Sequence, residues 1–255
     1  THALERIKKY AAAAFFHVKK QLDAGSFSVC GFEVPFDDTD HSILRPIVLK
    51  PSAKTPFLEK ISVTGRIDRY DIMEENGKKY VRVIDYKSAP VTLSDREIQA
   101  GIKLQLLTYL NAVLDSYPKG TAYPGGALYF KFGDDITTVK SHLSCTPAKD
   151  GEKQFVMNGF VLDDRCVLDG MTGGSETGVI GGRRLSGGGI SFAGSKMLKS
   201  EEAFQTMWQW TYENIQNAAA QIAEGYYPIA PSPCADPPPC RYCSMRPICA
   251  NCADS

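Results

Sequence analysis

The sequence predicts an α/β fold in which a central β-sheet is flanked by helices. Long segments with apolar residues at helical spacing alternate with shorter segments whose apolar residues recur at every second position. The chain has 255 residues, of which 43% are hydrophobic, and this is enough to bury a sizeable core. We expect one domain over residues 1–228, followed by a proline-rich linker and a cysteine-rich tail over residues 229–255.

The first segment predicts an amphipathic helix that ends at Gly25. Its apolar residues fall on one face: Leu4, Ile7, Ala11, Ala14, Phe15, Val18 and Leu22. Three segments with strand-like alternation follow, at residues 27–36, 60–73 and 77–88. The turn signal "EENG" separates the last two and predicts a hairpin.

The second half of the chain predicts two more helices and two more strands. Ser94 and Glu97 have the spacing of a capping box, and the apolar pattern after them predicts one long helix over residues 94–117. Strands are expected at residues 124–133 and 158–168, and a last amphipathic helix should begin near Ser200 and end at Gly225. The glycine-rich segment 170–196 lacks the lysine-serine ending of a phosphate-binding loop and predicts a flexible surface loop.

Charge and hydropathy exclude several classes of protein. The formal net charge is zero, with 29 basic and 29 acidic residues, so no global basic field marks the chain as a nucleic-acid binder. Apolar runs of about 18 residues are absent from the sequence, and we therefore expect a cytoplasmic protein without membrane contact. Local basic residues could still contact the phosphates of DNA. The candidates are Arg66, Arg69, Lys78, Lys79, Arg82, Lys87 and Lys103.

The stretch "YVRVIDYKSAP" places charged side chains within an apolar strand. Because side chains alternate along a strand, Asp85 and Lys87 share a face with Val81 and Val83. Opposite charges at a solvated strand end are one interpretation of such a pair. In a hairpin about "EENG", however, Asp68 of the preceding strand would approach Asp85, and two carboxylates and a lysine would share one pocket.

A pocket of this composition suits a divalent cation. Two adjacent carboxylates repel each other without one, and hard carboxylate oxygens are preferred ligands of Mg²⁺. A neighbouring lysine can orient or deprotonate water, or neutralise charge on a phosphate. The residues therefore indicate metal-assisted hydrolysis.

The series "GRID", "IDYKS" and "LQLLTYL" resembles the motifs of the RecB-like branch of the PD-(D/E)xK nuclease superfamily. The resemblance implies a mixed central β-sheet flanked by helices, as in restriction endonucleases. It implies catalytic roles for Asp68, Asp85, Lys87, Gln105 and Tyr109, with Asp68, Asp85 and Tyr86 binding Mg²⁺ or Mn²⁺. Gln105 and Tyr109 are four residues apart, so they share a helical face.

Five of the eight cysteines lie between Cys234 and Cys252, and such crowding favours metal ligation over disulfides. The spacing of Cys240, Cys243 and Cys249 resembles the C-terminal end of AddB-type helicase-nuclease subunits, in which such a triplet joins a distant upstream cysteine around a [4Fe-4S] cluster. The resemblance also implies an upstream metal-binding histidine, and neither His2 nor His17 lies in the matching setting. We therefore expect a fragment of a larger protein with an incomplete cluster site.

These features predict a Mg²⁺-dependent DNA exonuclease module of a bacterial helicase-nuclease complex, acting with a second subunit on DNA ends in double-strand break processing and recombinational repair. A stand-alone exonuclease of the Cas4 type shares the same motifs. A non-catalytic module that binds DNA ends is a third possibility, because Cys240, Cys243, Cys249 and Cys252 also have the spacing of zinc ligands.

Overall fold

The computed structural model describes residues 2–50, 59–89, 91–131, 156–174, 179–187, 189–235 and 238–249. These residues form five α-helices: α1 (His2–Ala24), α2 (Asp95–Gln99), α3 (Gln105–Leu114), α4 (Arg165–Thr172) and α5 (Glu201–Ala223). Ten strands are β1 (Ser28–Phe36), β2 (Ile47–Leu49), β3 (Ile61–Val63), β4 (Gly65–Glu75), β5 (Lys78–Lys87), β6 (Ala122–Lys131), β7 (Asn158–Leu162), β8 (Arg183–Arg184), β9 (Ile190–Ser191) and β10 (Leu198–Lys199).

Six strands form the central sheet, in the order β1-β4-β5-β6-β7-β10. The pairs β1–β4, β4–β5 and β6–β7 are antiparallel, whereas β5–β6 and β7–β10 are parallel. The mixed sheet confirms the predicted fold class. Its parallel centre follows from the chain path, because α2 and α3 lie between β5 and β6 and carry the chain back to the starting edge.

The predicted hairpin is confirmed in its turn and its register. Asn76 and Gly77 both have positive φ, of 51° and 77°, as a two-residue turn with the twist of the flanking strands requires. Glu75 lies opposite Lys78, and the pairing continues to Arg69 opposite Ile84.

Helices cover both faces of the sheet. On one face α3 packs against β5 and β6, and α5 packs against α2 and α3. On the other face α1 contacts α4, and the backbone of Gly170 in α4 lies against the Met73 side chain of β4. The buried core between these layers includes Ile67, Val83, Leu106 and Leu128.

The single helix predicted over residues 94–117 is wrong, because the chain breaks between α2 and α3. Gly101 and Lys103 have positive φ, of 78° and 50°. The Asn214 side chain of α5 lies beside Gly101 and donates from Nδ2 to the carbonyl of Gln99 at 3.2 Å. Gly101 is a local glycine stop, because its backbone N–H donates to the carbonyl of Ile98 at 3.0 Å, and the contact with Asn214 reinforces that end of α2.

The strand predicted over residues 158–168 is also wrong in its second half. β7 ends at Leu162, and Asp164 caps α4 by accepting from the backbone N–H of Cys166 at 2.8 Å. α4 ends with Gly173 at a φ of 59°. A short polar residue that accepts backbone N–H groups favours a helix start over strand continuation.

The glycine-rich segment 170–196 is more structured than the predicted surface loop. Its start belongs to α4, and it contains the two-stranded sheet of β8 and β9. Val179, Ile180 and Ile190 are buried, and the backbone N–H of Met157 donates to the carbonyl of Val179 at 2.9 Å. These apolar side chains hold part of the segment against the core.

The described part of the tail has two 3₁₀ helices, Pro239–Tyr242 and Arg246–Ile248, and is otherwise irregular. Tyr242, Met245 and Ile248 are exposed. Across the ranges that the structure describes, none of the helices has the length and apolar character needed to cross a bilayer.

Candidate active site

The ends of β4 and β5 bring Asp68 and Asp85 to one face of the sheet. The register pairs Arg69 with Ile84 and Tyr70 with Val83. If this register continues by one residue, Asp68 lies opposite Asp85. Opposite residues of an antiparallel pair share a face of the sheet. The hairpin therefore produces the predicted convergence of the two carboxylates.

Asp85 is a buried carboxylate with a single close cation. Its side chain is 3% exposed, and Oδ2 lies 2.5 Å from Lys87 Nζ. At this distance the Lys87 ammonium neutralises the carboxylate as an ion pair. Burial raises the pKa of Asp85, the charge of Lys87 lowers it, and the nearby Asp68 raises it further, with a net rise.

Asp68 is half-buried and oriented by the strand opposite. Its Oδ2 accepts a hydrogen bond of 2.9 Å from the backbone N–H of Tyr86. The Tyr86 side chain lies on the other face, where its hydroxyl accepts from Arg69 Nη1 at 3.4 Å. Only the backbone of Tyr86 therefore lies between the carboxylates, and its amide supports Asp68.

α3 supplies the remaining predicted residues. Lys87 Nζ donates to Gln105 Oε1 at 3.1 Å, and Gln105 Nε2 donates to Tyr109 Oη at 2.7 Å. The two α3 residues are one helical turn apart and share a face, as predicted. One chain of polar contacts thus joins Asp85, Lys87, Gln105 and Tyr109.

Tyr129 of β6 is a neighbour that the sequence analysis missed. It pairs with Asp85 in the parallel β5–β6 register and is buried, and its ring centroid lies 5.7 Å from Lys87 Nζ. Burial and the charges of Asp85 and Glu97 raise the pKa of Tyr129, so its hydroxyl stays protonated. The signal was present in the strand "GGALYFK", but the register that aligns it with Asp85 is a tertiary property.

Asp68 and Asp85 fit a divalent cation. The fit rests on the chemistry of the two donors, because carboxylate oxygens on one face of the sheet are hard ligands of the kind that Mg²⁺ prefers, although Asp85 Oδ2 is paired with Lys87 in this structure. Within the described ranges no three side chains among His, Cys, Asp and Glu form a group that could hold a metal ion, so the two aspartates leave further coordination to backbone, water or substrate oxygens.

The tail cysteines do not form a metal site in this structure. Cys240, Cys243 and Cys249 are free thiols in and beside the two 3₁₀ helices, and they are not grouped for metal binding in the part of the chain described. A cluster held by these three thiols would require them to lie closer together than they do here. Cys252, the alternative zinc ligand, lies outside the described residues.

Several basic residues predicted as DNA contacts are unavailable for that role. Arg69 and Arg82 are buried around Asp71, and each donates to its carboxylate at 2.7 Å. The ammonium of Lys103 is held by Glu97 and a backbone carbonyl. Arg66 remains exposed near the start of β4, because its strand position points out of the core.

Comparisons with known proteins identify a family and relatives of the chain. A family model of the PD-(D/E)XK nuclease superfamily matches residues 1–250. The chain is 31% identical over 242 residues to an ATP-dependent helicase/deoxyribonuclease subunit from Bacillus anthracis, and the alignment covers 91% of the chain and 20% of that protein. The protein of the same name from Caldanaerobacter subterraneus subsp. tengcongensis is 31% identical over 248 residues, which cover 96% of the chain and 21% of that protein.

The chain spans about a fifth of the length of the curated relatives that it matches. The family match extends over nearly all of the chain, including both site strands and α3. The predicted resemblance is thereby confirmed, and the chain belongs to the PD-(D/E)XK nuclease superfamily.

Proposed function

We propose that the chain is a deoxyribonuclease module that hydrolyses phosphodiester bonds in DNA with Mg²⁺ or Mn²⁺. The observation that carries the proposal is the linked set of Asp85, Lys87 and Gln105, beside Asp68. A nearly buried carboxylate, a second carboxylate and a lysine in one place provide both metal ligands and a charged group for hydrolysis.

Each residue has a role that follows from its contacts. Asp68 and Asp85 would hold the cation, with the backbone of Tyr86 beside them. When bound, the cation polarises a phosphate oxygen and lowers the pKa of water. Lys87, 30% exposed, can reach a phosphate or a water from the open side. Gln105 orients the Lys87 ammonium, and Tyr109 orients the Gln105 amide.

The relatives suggest the setting. They are named as subunits of an ATP-dependent helicase/deoxyribonuclease, which supports a DNA substrate and a helicase-nuclease complex with a second subunit. We propose that this chain acts there as an exonuclease on DNA ends, in cytoplasmic double-strand break processing and recombinational repair.

The test is DNA cleavage by the full-length natural polypeptide carrying Asp85→Asn. We expect no Mg²⁺-dependent cleavage of linear DNA, because the buried metal-binding charge is removed. Asp169→Asn is the control, since it removes the charge of a half-buried aspartate of α4 that pairs with Arg165 on the other side of the sheet. Near wild-type cleavage by Asp85→Asn contradicts the assignment. Cleavage of circular DNA by the wild-type protein contradicts the exonuclease proposal.

The tail cysteines carry a separate proposal. Cys243 is exposed, and Cys240 and Cys249 are half-buried, so their thiols are accessible as ligands of a [4Fe-4S] cluster in a longer polypeptide. Iron and sulfide in the purified full-length protein support the cluster. One zinc per chain, without iron, supports the alternative of a zinc tail on a DNA-binding module.

A further inference from the structure

The side chain of one lysine links the connection between α2 and α3 to two other points of the chain. Lys103 Nζ lies 2.6 Å from Glu97 Oε1 and donates to the carbonyl of Thr92 at 2.8 Å. Thr92 lies in the segment that follows β5. Glu97 lies in α2, and Lys103 lies just before α3. One ammonium group therefore ties together three points of the chain between Lys87 and Gln105.

The other carboxylate oxygen of Glu97 and its backbone N–H are both hydrogen-bonded to Ser94. Ser94 Oγ donates to Glu97 Oε2 at 2.8 Å, and the backbone N–H of Glu97 donates back to Ser94 Oγ at 3.3 Å. The Glu97 side chain is 6% exposed and that of Lys103 is 18% exposed. A carboxylate buried to this extent requires its cation, so the contact between Glu97 and Lys103 has a strong preference for one geometry.

Lys103 adopts this position in an unfavourable backbone conformation. Its φ of 50° lies in the left-handed region, which residues with a side chain rarely occupy. Such a conformation persists where surrounding contacts enforce it, and it is found preferentially at functional sites. The two contacts of the ammonium are side-chain contacts that constrain this residue.

Gln105 begins α3 two residues after Lys103. Leu104 is the N-cap of α3 and supplies no side-chain hydrogen bond to the first turn. The start of the helix is therefore set by the connection before it. Gln105 Oε1 accepts from Lys87 Nζ at 3.1 Å, so a shift of this first turn moves the group that orients Lys87.

We propose that Lys103 and Glu97 are positioning residues that set the place of Gln105 and, through it, of the Lys87 ammonium. This inference rests on the proposed nuclease function for its effect on rate. Lys103 acts inside the protein, because both of its contacts are intramolecular and leave the ammonium little exposed.

The first experiment replaces Lys103 by Met in the full-length natural polypeptide and measures cleavage of linear DNA. We expect kcat to fall by about tenfold or more with KM for DNA unchanged, as for misplacement of a catalytic group without loss of a substrate contact. Lys103→Met/Glu97→Gln tests the same link without an unpaired buried carboxylate, so an unstable single variant does not prevent the measurement.

Lys199→Met is the matched control. Lys199 is 15% exposed and pairs with Asp95 Oδ2 at 2.7 Å, so its loss also removes a partly buried ion pair of α2. This pair does not involve the connection into α3, and we expect an unchanged kcat. Equal losses of kcat in the two lysine variants would overturn the proposal, because they would show a general effect of loosening α2.

The second experiment distinguishes positioning from a direct role. In a Gln105→Ala background, Lys103→Met should lower kcat little further, since its effect passes through Gln105. The change in melting temperature that Lys103→Met causes should remain in the Gln105→Ala background. The proposal would be overturned if the double variant lost the product of the two single-variant reductions in kcat. A rise in KM at constant kcat would also overturn it and would indicate a DNA contact.

A readout without activity separates failure of this inference from failure of the proposed function. The side-chain amide resonances of Gln105 should shift in Lys103→Met and stay in place in Lys199→Met. Unmoved resonances overturn the positioning role. Shifted resonances with unchanged kcat leave the positioning intact and contradict the catalytic use of Gln105.

Discussion

Removal of the Asp71 carboxylate should destabilise the protein strongly. Asp71 is buried between two buried arginines on the face of β4 and β5 opposite the site. Arg69 donates to it twice, from Nε and Nη2, and Arg82 once, from Nε, each at 2.7 Å. Arg82 Nη1 and Nη2 have no hydrogen-bond acceptor among the described residues, and the Arg82 guanidinium lies 4.5 Å from the Phe27 ring centroid.

The magnitude follows from burial. Asp71→Ala leaves two guanidinium groups without a counter-charge, and breaking a buried pair by removing one member costs about 3–5 kcal/mol. We expect a loss of at least about 3 kcal/mol in the free energy of unfolding, a large fraction of the roughly 5–15 kcal/mol typical of a domain. Asp71→Asn keeps the shape and one acceptor oxygen, so its loss should be smaller.

Urea unfolding followed by fluorescence of Trp208 and Trp210 measures this loss. The urea concentration at the midpoint of unfolding should fall, while the slope of the unfolding free energy against urea concentration stays constant. Glu74→Ala is the control, because it removes an exposed ion pair with Lys79 and should cost at most about 1 kcal/mol. A loss below about 1 kcal/mol in Asp71→Ala would refute the reasoning that Asp71 neutralises the two arginines.

Further predictions concern the site. Mn²⁺ should raise the melting temperature of the wild-type protein and not that of Asp85→Asn, which calorimetry with and without EDTA can check. Burial raises the folded-state pKa of Asp85, so the folded protein favours the protonated carboxyl and loses stability as pH rises through that pKa. In EDTA, Asp85→Asn should therefore be more stable than the wild-type protein at about pH 7. This difference in stability should disappear below the ordinary pKa of an aspartate. Lys87→Ala should keep the Mn²⁺ effect and lose about a hundredfold or more in kcat, and retention of the rate would exclude Lys87 from catalysis. Tyr109→Phe removes the acceptor of the Gln105 amide and should lower kcat about tenfold or less, which single-turnover cleavage can measure.

Local patterns predicted much of the fold and of the site. The alternation in "YVRVIDYK" and the turn "EENG" place Asp68 and Asp85 on one face, because strand periodicity and hairpin register are properties of adjacent residues. The four-residue spacing of Gln105 and Tyr109 likewise needs only a helix. The catalytic roles of these residues remain predictions, as do the metal ion and the cluster.

Other features depend on contacts between distant segments. The side chain of Asn214 reaches the end of α2 from 115 residues away, and no local pattern shows this contact, although Gly101 is itself a local signal for the end of a helix. Arg69 and Arg82 are candidates for basic surface residues in the sequence, yet their strand face is covered and both are buried around Asp71.

The sequence by itself determined most of the central strands, the hairpin and the identity of the polar residues, since these depend on neighbours along the chain. Only the tertiary structure decided which charges reach solvent. It paired Lys103 with Glu97 and aligned Tyr129 with Asp85, because burial and register depend on which elements pack together.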